Sequence, residues 1–233
     1  MTFAFVQGNF NYLNGVSTED VVLNGVGAGN LIVAYVKHES TDTTFAFSDG
    51  TSSFTLGTEV NSASPMAGIF AWLLSANSGN RTYTLTLGAS CAHVNFVVTE
   101  YSYDHANGTC EFDAQATGQG SGTSAVSGAI TTSGTNCIAL GGVSKFSAGV
   151  VSNFNIGGVA GGNMVPIASS AFQDAQAQIW SRVTTLSSGT ASITVPSDDW
   201  ICNIVAFKEA GVTVPPVTDG PKLNVVTTPL IWR

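Results

Sequence analysis

Few side chains in this 233-residue chain have types and spacings suited to chemistry. His38, His93 and His105 form no metal-binding pattern with one another or with a cysteine, and Asp104-His105 is the pairing that comes nearest to one. Asp104, Asn107, Glu111 and Asp113 offer oxygens of the kind a calcium loop uses. The same stretch contains Asn107-Gly108 after an aspartate, which spells an ordinary turn, and the turn is the preferred reading. Asp198-Asp199-Trp200 could hold a sugar, the indole stacking on the ring and the carboxylates accepting from its hydroxyls. The plainer reading is a turn that enters a strand. Glu39 and Glu100 each end an apolar run, as many solvated glutamates do, and Trp72 and Trp180 read as core or sheet-face residues. Cys91, Cys110, Cys137 and Cys202 form no Cys-x-x-Cys pair and read as free thiols. A Cys91–Cys110 bridge would have to span the length of a strand, whereas Cys137–Cys202 stays open. There is no Gly-x-Ser-x-Gly elbow and no phosphate-cradling loop before a helix. These residues predict no catalysis, no metal and no cofactor.

The bulk of the chain narrows the partners. Only 9% of residues are charged, against roughly 25% in an average soluble domain. Serine, threonine, asparagine and glycine replace them, which suits a surface that meets protein or sugar. The net charge is −8, and the seven basic residues, Lys37, Arg81, Lys145, Arg182, Lys208, Lys222 and Arg233, are scattered. No basic stripe exists, so neither nucleic acid nor an anionic membrane is an expected partner. The first residues lack the basic and apolar segments of a secretory signal, and no run approaches the roughly 20 apolar residues of a membrane span. The expectation is synthesis in a cytoplasm without a secretion signal.

Helical periodicity is nearly absent, and β-branched and aromatic runs broken by Gly, Asn, Asp and Ser recur throughout. Strands are expected at Leu31–His38, Gly68–Ser75, Thr82–Leu87, His93–Tyr103 and Asn136–Ser144 among others. The pairs Glu111–Thr117 with Thr123–Ile130, and Ala191–Val195 with Trp200–Lys208, read as separate strands divided by turns. The runs Leu31–Val36 and Ile201–Phe207 are continuously apolar and read as central strands, covered on both sides or packed at a subunit contact. The stretch from 148 to 170 reads as a long Gly-rich loop.

The chain also echoes itself. Aligned without a gap, Ile69 meets Ile179, Phe70 meets Trp180, Ser78-Gly79 meets Ser188-Gly189, Tyr83 meets Ile193 and Leu85 meets Val195. Asn30–Ala34 echoes Asn136–Leu140, and Val94–Val98 echoes Cys202–Ala206. The expected fold is therefore all-β: an antiparallel β-sandwich or jelly roll over residues 1–211, built from two similar halves at about 28–105 and 134–210. A Pro-rich linker and an extended C-terminal arm follow at 212–233. The arm carries Leu223, Val225, Val226, Leu230, Ile231 and Trp232, an apolar set expected to dock on a neighbouring subunit.

The run Asn30–Val36, then Asp49-Gly50 with Phe54 and Leu56, Ile69–Trp72, Tyr83–Leu87 and the closing Val97–Tyr101 resembles the β-sandwich structural modules of tailed bacteriophages, of the decoration or tail type. The resemblance covers most of residues 28–210 and rests on strand rhythm. It implies a non-enzymatic virion protein, foremost a capsid decoration or cement protein. Its partners would be copies of itself in a symmetric homo-oligomer and another virion protein such as the major capsid protein. A tail-tip or fibre module that binds host carbohydrate is the alternative.

Overall fold

The structure is a computed structural model that describes residues 3–39, 44–62, 65–105, 108–146, 151–160, 163–164 and 176–211. Every regular element among them is a strand. The first half contains β1 (Ala4–Leu13), β2 (Val16–Val26), β3 (Leu31–His38), β4 (Phe45–Ser48), β5 (Thr55–Leu56), β6 (Val60–Asn61), β7 (Ala67–Leu73), β8 (Gly79–Cys91) and β9 (Val94–Ser102). The second contains β10 (Gly108–Val126), β11 (Cys137–Lys145), β12 (Ser152–Ile156), β13 (Val159–Ala160), β14 (Asn163–Met164), β15 (Gln176–Val183) and β16 (Ala191–Gly211).

Strand pairing is antiparallel and follows one plan twice. In the first half the order is β1-β9-β3-β7-β5, with β6 also on β7, and a second sheet runs β2-β8-β4. In the second half β10 pairs β16, β16 pairs β11, and β11 pairs β15. The early part of β16 lies between β10 and β12, as β8 lies between β2 and β4. Each half is a sandwich folded over on itself, and the two sandwiches stand face to face.

The halves turn their corners differently. In the first, the chain breaks at Asn14-Gly15 and again at Ala92-His93, giving separate strands on each side. In the second, β10 and β16 run through the corner unbroken, which corrects the expected turns at 118–122 and 196–199. The register skips between Gly122↔Asp198 and Ser124↔Thr194. Gly122 supplies a φ of 107° there, and Pro196 falls where the ladder is interrupted, so its missing N–H costs no bond. The stretch read as a loop also holds structure: β12 and β13 form a hairpin around Gly157-Gly158, and β12 joins β16. Only residues 151–160 and 163–164 of that stretch are described.

Three apolar cores result. One fills the first sandwich, with Val21, Leu23, Phe47 and Leu85 facing Ile32, Val36 and Phe96. Another fills the second, around Trp180, Ile193, Val195 and Ile204. The third is the seam between them, where Leu31, Val33, Tyr35, Phe70, Trp72 and Val97 meet Ile138, Leu140, Ile179, Val205 and Phe207. β3 and β11 are buried along their whole length on both faces. The two-sided cover expected of the apolar runs is thus supplied by the other half of the same chain.

Facing tests the sequence echo residue by residue. Val94, Phe96 and Val98 point into their own sandwich, as do Cys202, Ile204 and Ala206. Tyr83 and Leu85 likewise match Ile193 and Val195. In contrast, Ile69 faces its own core while Ile179 faces the seam, and Phe70 and Trp180 are reversed in the same sense. Ile32 and Ile138 also face opposite ways. The ungapped alignment is therefore displaced by one residue in these two strands, since one step along a strand exchanges its faces.

Glycines let the seam close. A Cβ on Gly142 would lie 2.6 Å from the Tyr35 ring and 2.7 Å from Phe70. Tyr35 then reaches past it, and its hydroxyl meets Ser144 Oγ at 3.0 Å. At the edge between the first half's two sheets, side chains replace the ladder. Gln7, Asn9 and Asn11 on β1 donate their amides to the carbonyls of Asn24, Val22 and Asp20 on β2. Gly142→Val should push Tyr35 and Phe70 apart at a cost of about 1–3 kcal/mol. The expected reading is a clear fall in the urea midpoint, and a wild-type midpoint would mean the seam does not pack at this point.

Candidate functional site

β3 runs two rungs beyond the apolar part of the seam, and polar residues take over there. Lys37 lies opposite Asn95 on β9, and Glu39 follows opposite His93, its N–H donating to the His93 carbonyl. With side chains alternating across a strand, all four occupy the face that Tyr35 and Val97 present to the seam. Lys37 is fully buried, and its ammonium is ion-paired with Glu39 Oε1. Glu39 Oε2 lies 3.8 Å from His93 Nε2. The other side of the His93 ring is hydrogen-bonded through Nδ1 to the Tyr12 hydroxyl at 2.8 Å. Cys91 sits beneath, accepting from the Glu39 N–H at 3.1 Å, and burial pushes its thiol up.

The second half brings Lys145 and Asp198 to the same end. Lys145 is also fully buried, opposite Trp200. Burial pulls the ammonium of Lys37 down against the pull of Glu39, and of Asp198 more distantly. It pulls Lys145 down too, with Asp198 opposing and Lys37 adding to the effect. Two buried lysines thus lie within electrostatic reach of one carboxylate, Asp198.

Beside them a cleft of about 300 Å³ opens between the halves, lined by Ser62, Gln119, Gly120, Ser121 and Asp199. Here the expected turn at Asp198-Asp199-Trp200 is corrected. All three lie within β16, paired with Gly122, Ser121 and Gly120. Asp199 does reach the cleft. Trp200 does not offer a stacking face: it is 8% exposed, belongs to the second core, and lies across Gly120, where a Cβ would be 2.7 Å from the indole. Among the described residues the cleft presents hydroxyl, amide and carboxylate groups without a ring.

The other singled-out residues disperse. Asp113 accepts from the Ser133 N–H and hydroxyl and lies 3.6 Å from Lys208. Glu111, on the same strand, lies 4.0 Å from Lys208, and the Asp104 N–H donates to Glu209. Asn107 lies outside the described residues. The cysteines are all buried and free. Trp72 stacks on Phe112 in the seam, and Trp180 donates to the Asn155 carbonyl from inside the second core. The arm residues Leu223, Val225, Val226, Leu230, Ile231 and Trp232 lie outside the described residues. Glu100, read as a solvated strand end, is fully buried instead. It accepts from Gly27 N–H, Asn30 Nδ2 and Gln7 Nε2, tying β1 and the Gly27–Asn30 turn to β9.

Sequence reasoning missed Lys37 and Asn95, and read Glu39 as solvated. The available signal was a charged pair, Lys37 and Glu39, continuing an unbroken apolar run without a turn residue between. Compared with known proteins, the chain matches no family model and no curated protein sequence.

Glu19 on β2 is the counter-example to Glu100. It is 2% exposed, beside Val21 and Leu23 on the core face, and neither carboxyl oxygen has a hydrogen-bond partner among the described residues. Burial, with the neighbouring charge of Asp20, pushes it up to about 8. The folded chain therefore keeps this proton through a window in which the unfolded chain has released it. Stability from this group should fall as pH rises from about 4.5 to about 8, by at most about 1.4 kcal/mol per pH unit, and level off above. Denaturation of wild type and Glu19→Gln across that range checks it. The variant should lose this slope and gain on wild type at the alkaline end; parallel curves would refute it.

Proposed function

We propose that this chain is a non-enzymatic structural protein of a virion, most simply a capsid decoration or cement protein. It would add contact area between shell subunits, with copies of itself and a shell protein as its partners. The observation that carries this reading is where the charges sit. Of the five basic residues among those described, Lys37 and Lys145 are fully buried, leaving Arg81, Arg182 and Lys208 to the surface. The outward faces of β2 and β8 carry Ser17, Thr18, Thr82, Thr84 and Thr86 instead. Apolar side chains are also exposed at separate places, including Val22 at 44% on β2, Leu56 at 41% on β5 and Val159 at 47% on β13. A surface rich in hydroxyls, poor in basic residues and dotted with apolar side chains suits close packing against protein more than capture of an anion.

On this reading the arm at 212–233 reaches a neighbour, with Leu223, Val225, Val226, Leu230, Ile231 and Trp232 as its anchors. Removing residues 212–233 should abolish attachment to the particle in a co-sedimentation assay and leave the circular dichroism of the sandwich unchanged. Full attachment of the truncated, folded chain would defeat the arm's role.

The cleft supports a second reading, a module in a tail tip or fibre that binds host carbohydrate. Asp199, Gln119, Ser121 and Ser62 suit sugar hydroxyls. A glycan array should then give a hit that Asp199→Ala weakens by at least tenfold. An empty array would remove this reading and leave the first standing.

A further inference from the structure

The Lys37–Asn95 rung has the arrangement from which an intramolecular amide forms, and we propose that these two side chains become covalently joined. The cross-strand register places them directly opposite on one face, where Cβ atoms lie about 4.5–5.5 Å apart. A lysine stem spans that distance readily. Lys37 is fully buried and Asn95 is 8% exposed. Asn95 Nδ2 is buried with no hydrogen-bond partner among the described residues, so nothing in them holds the amide nitrogen in place. Glu39, next on the same face, grips the amine and lies diagonal to Asn95.

Each group then has a role. Burial favours the neutral amine at Lys37, the form that carries a lone pair. That lone pair attacks Asn95 Cγ, forming the Nζ–Cγ bond. Glu39 takes the proton that Nζ sheds and delivers it to Nδ2. The Cγ–Nδ2 bond breaks with its electron pair on nitrogen, and ammonia leaves. One amide replaces another, so neither an oxidant nor an energy source is required. The loss of ammonia to solvent makes the step effectively irreversible.

The second half contains its own contrast. Asn203 echoes Asn95 in sequence and lies on the corresponding seam face of β16, but its partner across the rung is Gly142. Its amide nitrogen donates to the Gly68 carbonyl at 3.1 Å. An asparagine at this position can be held by a plain hydrogen bond where no lysine faces it. In the first half the amide nitrogen has no such acceptor among the described residues, and an amine and a carboxylate stand beside it.

Intact mass and a tryptic digest of the full-length chain test the proposal without a variant. The folded protein should weigh one ammonia less than its sequence. Trypsin should fail to cut after Lys37, and residues 1–81 should emerge joined to residues 82–145. The branched peptide decides, because Asn14-Gly15, Asn24-Gly25 and Asn107-Gly108 can also shed ammonia by cyclising on their own backbone. Lys37→Arg and Asn95→Ala should both yield unbranched peptides. Glu39→Gln, folded by circular dichroism, should remain largely unjoined over the same period. Cleavage after Lys37 in fully folded wild type, or a branch between other residues, overturns the proposal. A Glu39→Gln chain that joins as completely as wild type overturns the role given to Glu39.

Discussion

Everything in this molecule depends on the seam, where two sheets that would otherwise face water face each other. Leu31, Val33, Tyr35, Phe70, Trp72 and Val97 form a contiguous apolar patch on one half, and Ile138, Leu140, Val205 and Phe207 form its counterpart. Fully burying a side chain of this size contributes about 1.5–3 kcal/mol. A monomer rarely exposes such a patch. Neither sandwich is therefore suited to stand alone, and the repeat in strand order is a repeat within one cooperative body. β7 of one half packs over β11 and β16, while β15 of the other packs over β3 and β9, so the same elements make the contact in both directions.

That contact explains the polar end of the site. A sheet covered on both faces can be apolar only as far as its cover extends, and β3 outruns the apolar part. Lys37 and Glu39 occupy the extra rungs. Burying a charge is costly unless it is paired, and Lys37 is held by Glu39 in the first half with Asp198 approaching from the second. The arrangement also fixes register. A slip of β3 by one residue would turn Lys37 and Glu39 together away from Asn95 and His93 and into the core lined by Phe47 and Phe96. The second half meets the same end of its own strand with Gly142 and Ser144, which make room for Tyr35 and bind its hydroxyl.

What was legible in the sequence follows the same physics. Leu31–His38 was readable to its limits because an apolar run bounded by Asn30 and Glu39 has few other meanings. The division into all-β elements was readable because turns and β-branched residues alternate throughout. The corner of the second half was misread because Gly118, Gly120, Gly122 and Pro196 look like turn residues, and here they bend a continuous ribbon. The slipped alignment has a deeper cause. Alternation reveals which face a residue takes only when one face is wet. β3 and β11 are dry on both, so apolar residues follow one another and the pattern carries no parity. The closing strands kept their parity because asparagine marks one face in each, at Asn95 and Asn203.

The distribution of charge links the fold to the proposed role. Charged residues are scarce, and several of them are placed inside: Lys37, Lys145, Glu19 and Glu100 are all buried. Those with partners help to define register and tie turns to strands. What remains outside is a surface of hydroxyls and amides with few basic residues and an acidic excess, which exerts no long-range pull on a neutral or acidic partner. Association through such a surface depends on short-range shape and hydrogen bonding, at rates nearer 10⁵–10⁶ M⁻¹s⁻¹ than the steered limit, by order of magnitude. Slow capture is tolerable where many copies assemble on one particle and departure is rare, because each neighbour raises the effective concentration of the next. A partner met once at low concentration would favour the opposite design, with complementary charge on the two surfaces to steer the encounter.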